Sequence, residues 1–529
     1  MEQQQDLQKR LLLALVLSFM VFVVFDMVMP KTTKPIEQNG TVTTQEQQTP
    51  KIANSSTPAT SNKATVQAAS APVTTVKSLA TVKSDRFVYS IDELGRIAQV
   101  KMLEKKYEYE GKKLELLNAE WVKPLEIRFA DANLNKEALK TPYTSSVEKL
   151  DLKSGESTVV LTQKLSTTTI TKTLKFYADG HYDINIELST PEQYFITTGQ
   201  RPNADHTLYM VVQGALIKRT NGTVVILEDG DVEEALSGIN ADFASSFDRY
   251  FTSILYNFEK PLNVSTLLVD KENALIFVQG EQSLALHGYL GPKESDILKN
   301  IHPQLTDAIE YGWFTFISKP LFKVLEWFHK IFGNWGWAIV AVTLLIKLLL
   351  FPLSYKGMLS MQKLKDLAPK MTEIKEKYKK DPQKMNAKMM ELYKKHGANP
   401  MGGCLPMILQ IPIFFAIYRV LLNAVELQGA EWMLWITDLS LKDPLFILPL
   451  LMGASMWYQQ RITPNTMTDP MQQKIFQWLP VVMTVFFITF PAGLVLYWLV
   501  NNLFTIAQQF VIDAAYEKQK LAQIEQIKK

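Results

Sequence analysis

The sequence predicts a multi-domain membrane protein: an α-helical bundle of six transmembrane helices that carries a large all-β sandwich outside the membrane. Three observations lead there. Residues 335–512 hold nearly all the long apolar runs of the 529-residue chain, whereas residues 31–310 are mostly polar. Within the polar part, residues 81–305 alternate apolar and polar side chains with the period of a half-buried strand. One further apolar run, preceded by a basic pair, stands near the N-terminus. The net charge of +3 averages two unlike halves and decides nothing.

Taken in order, Lys9 and Arg10 precede an apolar stretch of 19 residues, 11–29, close to the roughly 20 that span a bilayer. Its exit, "FDMVMPK", lacks a small-x-small cleavage pattern, so residues 1–30 are read as an uncleaved signal anchor. Residues 31–80 are rich in Thr, Ser, Gln, Ala, Asn and Pro, cannot bury a core, and are read as a flexible tether. In the sandwich, 81–305, "HYDINIEL" sets Tyr182, Ile184, Ile186 and Leu188 on one face, and "FVYSI" does the same with Phe87, Tyr89 and Ile91. Turn signals, Ala178-Asp179-Gly180 and Asn221-Gly222, punctuate an expected antiparallel sheet.

Residues 306–334 change character. Leu321, Leu325, Phe328 and Phe332 recur at helical spacing with Trp327 and Trp335 in support. This reads as an amphipathic helix lying in the membrane interface, the alternative being a helix packed on the sandwich. Spans are then expected at 335–356, 401–424 and 444–460, separated by 357–400 and 425–443. After the loop 461–474, the run between Lys474 and Asp513 has 38 residues without Asp, Glu, Lys or Arg. As one helix it would be about 57 Å long, whereas a crossing needs about 30 Å. Phe490-Pro491-Ala492-Gly493 supplies a reversal, so the run divides into spans 475–490 and 491–512, leaving a tail, 513–529.

Residues 357–400 contain eleven Lys against five acids, and 425–443 four acids against one Lys. Positive-inside logic puts the first loop in the cytoplasm and the second outside, with both termini cytoplasmic and the sandwich periplasmic. Met361, Leu364, Met371, Ile374 and Tyr378, then Met385, Met389 and Leu392 beyond an Asp381-Pro382 break, read as a two-helix hairpin with a Met-rich seam. Exposed methionines, Met361, Met371, Met385 and Met389, would suit adaptable binding of apolar partners; the alternative is a seam buried between the helices. The Lys excess is read as solvated, lipid-facing or orienting, with no specific nucleic acid as partner.

Chemistry is hard to find. None of the six histidines falls in an expected span, there is no His-Glu-x-x-His, Walker or dinucleotide motif, and the single cysteine, Cys404, excludes an internal disulfide and any multi-cysteine metal site. We expect no catalytic residue, metal or cofactor. What the spans do hold is scattered polar groups, Thr343, Lys347, Gln410, Thr484, Asn501 and Asn502 among them. A Lys near the centre of a spanning helix costs roughly 2.5–3.5 kcal/mol and usually faces a bundle interior, a wet cavity or a partner. Thr343 and Lys347, four apart, share a helix face.

"NPMGGCLPMILQIPIFFAIY" (399–418), "DPMQQKIFQWLP" (469–480) and "PAGLVLYWLVNN" (491–502) closely resemble the YidC/Oxa/Alb family of membrane protein insertases. "WITDLS" and the stretch 311–336 match as well, and the anchor, tether and sandwich fit the Gram-negative bacterial layout of that family. The resemblance implies a five-helix insertase core plus the anchor, a mutarotase-like supersandwich in the periplasm, and residence in the bacterial inner membrane. It implies that newly made membrane proteins enter a hydrophilic groove and pass into lipid without ATP, alone or with the Sec translocon, after reception by the cytoplasmic hairpin. By the same resemblance Lys347 takes the place of a groove residue that is normally Arg. Thr343 matches a groove threonine, and Tyr497 and Trp498 fall where relatives contact substrate. Gln410, Thr484 and Asn501 complete the expected groove. The tail has four Lys against three acids, which offers little support for strong ribosome contact.

Two rival classes remain at this point. A solute transporter or channel would show internal repeats and a discontinuous pair of spans, neither of which is evident. A sugar enzyme built on the sandwich would need a His and carboxylate pair in a cleft, for which His181, His206 and His287 are the candidates.

Overall fold

The computed structural model describes residues 78–528 except 110, 206–210, 270–272, 398–399 and 464–469; the expected anchor and all but the end of the tether lie outside the described residues. The described residues form two compact units, one ending at Glu310 and one beginning at Tyr311.

The first unit is a β-sandwich of one 13-stranded and one four-stranded sheet. Alternation decides what enters its core. In the hairpin of Thr169–Tyr177 and His181–Leu188, Ile170, Lys172, Leu174 and Phe176 on one strand and Tyr182, Ile184, Ile186 and Leu188 on the other are buried. Gly180 closes the turn at φ 99°, a conformation that favours glycine. The smaller sheet lays Tyr89 against Phe176 and Tyr182, with ring centroids 5.4 and 6.3 Å away. The Tyr89 hydroxyl ties the two sheets together, lying 2.9 and 2.5 Å from the carbonyls of Gly180 and Leu290, which share its single proton. Among the described strands every pair is antiparallel except Ser78–Ser84 with Lys149–Leu152, which is parallel. Ser78–Ser84 also takes in residues expected in the tether. Phe251–Tyr256 is buried at all six positions and carries no alternation to read.

The second unit is helical. Its helices are α1 (Thr315–Phe332), α2 (Trp335–Leu349), α3 (Phe351–Lys377), α4 (Pro382–His396), α5 (Pro400–Asn423), α6 (Ile447–Ile462), α7 (Pro470–Phe487) and α8 (Ala492–Lys528). On α1 the buried residues are Ser318, Phe322 and Leu325, turned toward α2 and α5, and the Ser318 hydroxyl donates to the Ala416 carbonyl at 3.2 Å. Phe316, Trp327, Ile331 and Phe332 are exposed. The inward stripe is thus rotated from the Leu321, Leu325, Phe328 and Phe332 set, because two neighbouring helices, rather than one surface, cover α1. Gly333 ends α1 in the left-handed region at φ 64°, and the Asn334 side chain caps α2 by accepting from the Trp337 N–H at 3.1 Å.

The span expected at 335–356 is two helices, α2 and α3, that meet at 64° around Leu350. Pro352 explains the break: it lacks an N–H to continue the ladder and sits comfortably in the first turn of a new helix. Further along, the Phe490-Pro491-Ala492-Gly493 reversal separates α7 from α8. The N–H groups of Ala492 and Gly493, orphaned at the start of α8, donate to the carbonyls of Leu441 and Leu439 at 2.7 and 2.9 Å. Among the described residues one helix, Ala492–Ala522, is long and apolar enough to cross a bilayer alone, and the bent α2–α3 pair is a second candidate. The second unit is thus helical, with apolar helices among its members.

Candidate functional site, a polar cavity at the bend of the α2–α3 pair

The cavity forms where α2, α3, α5 and α8 converge. Thr343, Ile346 and Lys347 enter from α2, Leu353 and Ser354 from α3, Gln410 and Ile413 from α5, and Tyr497 and Asn501 from α8, with Leu350 at the bend. Lys347 stands in the last turn of α2, two residues from its end. There its ammonium meets the negative end of the helix dipole, which favours a cation. The side chain is only 8% exposed, and Nζ donates to the Thr505 hydroxyl at 2.9 Å. Among the described residues the ammonium is bonded to a hydroxyl and to no carboxylate.

Around it the polar groups are chained. Thr505 donates in turn to the Asn501 carbonyl at 2.8 Å, and Gln410 Nε2 donates to Asn501 Oδ1 at 2.9 Å. The Thr343 hydroxyl donates to Ile339 O at 2.7 Å, one turn back along its own helix. Tyr497 is buried at the cavity wall. These bonds hold a cation, two amides and two hydroxyls in one place inside an apolar bundle.

Of the seven expected groove residues, Lys347, Thr343, Gln410, Tyr497 and Asn501 line this cavity; Thr484 and Trp498 do not. The Thr484 hydroxyl donates to the Pro480 carbonyl at 2.7 Å, and the side chain fills the space over Gly453 where α6 and α7 touch. Trp498 packs edge-on to Phe414 at 4.8 Å and beside Phe487 at 5.0 Å. An aromatic ring wins more from those neighbours than from a polar cleft. Thr505 escaped the sequence reading, although Tyr497, Asn501 and Thr505 recur every four residues and so share one stripe of α8. Extending that stripe by one turn would have found it.

In the hairpin of α3 and α4 the buried-seam alternative holds. Leu364, Leu367 and Met371 are buried, with Met361, Met389, Leu392 and Tyr393 packed against them. Met361, Met371 and Met389 therefore lie in the seam, Met385 is half-buried, and the exposed methionine is Met390, 52% accessible. The reason is geometric: an apolar residue every three or four positions on both helices is the pattern of two helices that cover each other. Asp381 starts α4 by accepting from the Lys384 N–H at 3.0 Å.

In the sandwich, His287 Nδ1 pairs with Asp183 Oδ1 at 2.6 Å and His181 Nδ1 with Asp179 Oδ1 at 2.5 Å, on partly exposed strand faces. His206 lies outside the described residues. Among the described residues no group of three His, Cys, Asp or Glu side chains is placed to hold a metal ion.

Comparison with known proteins agrees with the division into two units. The family model described as YidC periplasmic domain matches residues 79–324, and that described as 60Kd inner membrane protein matches residues 327–520. A protein of Campylobacter jejuni named membrane protein insertase YidC is 50% identical over 516 residues, covering 97% of this chain and 97% of its own. Proteins of the same name from Wolinella succinogenes and Helicobacter pylori are each 47% identical and cover 98% and 97% of this chain, and 97% of their own lengths. The chain belongs to the YidC family of membrane protein insertases.

Proposed function

We propose that the chain inserts newly made proteins into the bacterial inner membrane through the polar cavity beside Lys347, alone or next to the Sec translocon. In this reading the helical unit and the N-terminal anchor make six crossings, both termini and the hairpin are cytoplasmic, and the sandwich is periplasmic. α1 lies in the membrane interface on its exposed aromatic face. The hairpin meets the substrate first, through the surface around Met390 rather than through the methionines of its seam.

What carries the proposal is a buried ammonium that, among the described residues, touches a hydroxyl and no carboxylate. Moving a polar tail through hydrocarbon costs several kcal/mol for each unsatisfied backbone group, and a cavity lined by amides and hydroxyls shortens the dry path. A carboxylate 4 Å from an ammonium gains about 4 kcal/mol at an effective dielectric constant near 20, against about 1 kcal/mol in water. An acidic residue in a short translocated tail thus supplies a counter-charge to Lys347, and a basic one is repelled. Lys347→Leu slows insertion of Sec-independent substrates with acidic tails on the order of tenfold, a transition-state loss of ~1.4 kcal/mol, whereas Lys347→Arg retains it. Proteoliposome insertion assays measure this; normal rates for the Leu variant with acidic tails would remove the charge from the mechanism.

A further inference from the structure

The last helix does not stop where its apolar run stops. α8 continues for 16 residues beyond Ile512, and on this extension Asp513, Tyr516 and Lys520 recur at three and four residues, one face of a helix. That face meets α3. Asp513 Oδ1 accepts from Gln362 Nε2 of α3 and from Gln509 Nε2, one turn back on α8, at 2.5 Å for the latter. One turn further along both helices the roles reverse: Asp366 Oδ2 of α3 accepts from the Tyr516 hydroxyl at 3.0 Å and from the Lys520 ammonium at 2.8 Å.

We propose that these two carboxylates form a clamp that holds the first hairpin helix in register with the cavity, and that Asp366 and Asp513 are positioning residues for insertion. The two helices already meet at the cavity, where Leu353 and Ser354 of α3 face Tyr497 and Asn501 of α8. The clamp joins them a second time, eight to twelve residues further along α3, about 12–18 Å away at 1.5 Å per residue. A helix fixed at two separated points cannot swing about the bend at Leu350. An exposed ion pair such as Asp366–Lys520 is by itself worth little. The Asp513 node adds what that pair lacks, because Gln362 and Gln509 are 7% and 1% exposed and buried amides require an acceptor. The positioning role rests on the reading that the hairpin receives the substrate.

The test uses the full chain with Cys404→Ser and spin labels at Gln383, on the far end of the hairpin, and at Val485, on the outer face of α7. The clamped protein gives one narrow distance distribution. Asp366→Lys combined with Asp513→Leu broadens it and slows insertion severalfold, while the helical unit still folds and unfolds cooperatively at a lowered midpoint, because two buried amides lose their acceptor. Asp513→Asn keeps the Oδ1 acceptor and stays close to wild type, and adding Lys520→Asp to the Asp366→Lys, Asp513→Leu protein re-forms the ion pair with its charges exchanged and recovers part of both width and rate. A distribution that stays narrow in the unclamped variant overturns the clamp, and broadening with an unchanged insertion rate overturns the positioning role. A photo-crosslinker at Met390 reports separately on reception. If it never captures substrate while unclamping still slows insertion, the clamp serves the cavity alone and the proposal as stated falls.

Discussion

Lys172 occupies a core position of the sandwich because the strand period puts it there, between Ile170 and Leu174 on the buried face. Its Nζ donates to the carbonyls of Gly95 and Leu125 at 2.8 and 2.9 Å. Both acceptors sit in the left-handed region, at φ 65° and 67°, a strained choice for leucine that turns its carbonyl inward. Nearby, Asp92 and Glu126 are matched by Arg96 and Arg128, with ion-pair distances of 2.8–2.9 Å, so a further positive charge is surplus. Burial pushes the Lys172 ammonium down to about 7, and Arg96 acts in the same direction, while Asp92 and Glu126 oppose it. A neutral amine still offers two N–H donors, one for each carbonyl. The consequence for stability has a definite sign: between pH 7 and the unfolded value near 10.5 the unfolded chain binds a proton that the folded chain does not. Sandwich stability therefore rises with pH across that window and is insensitive to this group below it, with a ceiling of about 1.4 kcal/mol per pH unit. Lys172→Met removes this part of the slope and costs about 1–3 kcal/mol by leaving two buried carbonyls unpaired. Thermal unfolding of the two proteins at pH 7 and pH 9 measures both effects. A wild-type slope that survives the substitution would assign it to other groups, Lys123 and Lys293 being pushed down to about 8 as well.

At the scale of elements, the sequence was most readable where one face of an element is apolar and the other polar. Tyr182, Ile184, Ile186 and Leu188 followed their period inward, and the Asp381-Pro382 break fell where α4 begins. Uniformly apolar helices carry no such stripe, so their inward faces were not readable. Thr484 illustrates this: its type suggested a wet groove, but the deciding fact is the glycine opposite. A Cβ on Gly453 would stand 1.9 Å from the Thr484 hydroxyl oxygen, which records how closely α6 and α7 approach, as small residues allow between packed helices. Gly453→Ala gains up to ~1 kcal/mol in helix propensity and loses about 1–3 kcal/mol to overpacking, so it destabilises on balance. Adding Thr484→Ala removes the colliding oxygen and recovers most of the loss. A double-mutant cycle on thermal stability in detergent reads the coupling; additive effects would mean that α6 and α7 are not in contact through this pair. The same local competition explains the bend between α2 and α3. Composition through 335–356 reads as one continuous span, but Pro352 limits α2 to 15 residues, about 22 Å of helix, and so brings Lys347 to a helix end instead of a helix middle.

Across the whole molecule, the division into a β unit and a helical unit was legible because the two parts use different solvents. One half shows the strand period of a water-exposed sandwich, and the other shows runs set by bilayer thickness. Side-chain meetings were less legible, since Lys347–Thr505 and Asp366–Lys520 join residues 158 and 154 positions apart, and a single sequence contains no record of such pairs. Orientation is an expectation of a different kind, because it depends on where charge accumulates rather than on which atoms touch. The hairpin region 357–400 has an excess of six positive charges and 425–443 an excess of three negative ones, and short loops near span ends are the ones whose Lys and Arg bias sets topology. Single cysteines at Asn221, on an exposed sandwich turn, and at Gln383, on the exposed end of the hairpin, in a Cys404→Ser background, turn this into a measurement. In cells with a permeabilised outer membrane, an impermeant maleimide labels the Asn221→Cys protein and spares the Gln383→Cys protein; in inverted inner-membrane vesicles the pattern exchanges. Labelling of both sites from one side would place the sandwich and the hairpin in the same compartment. The number of crossings between them would then be even, and the charge difference would have failed as an orienting signal.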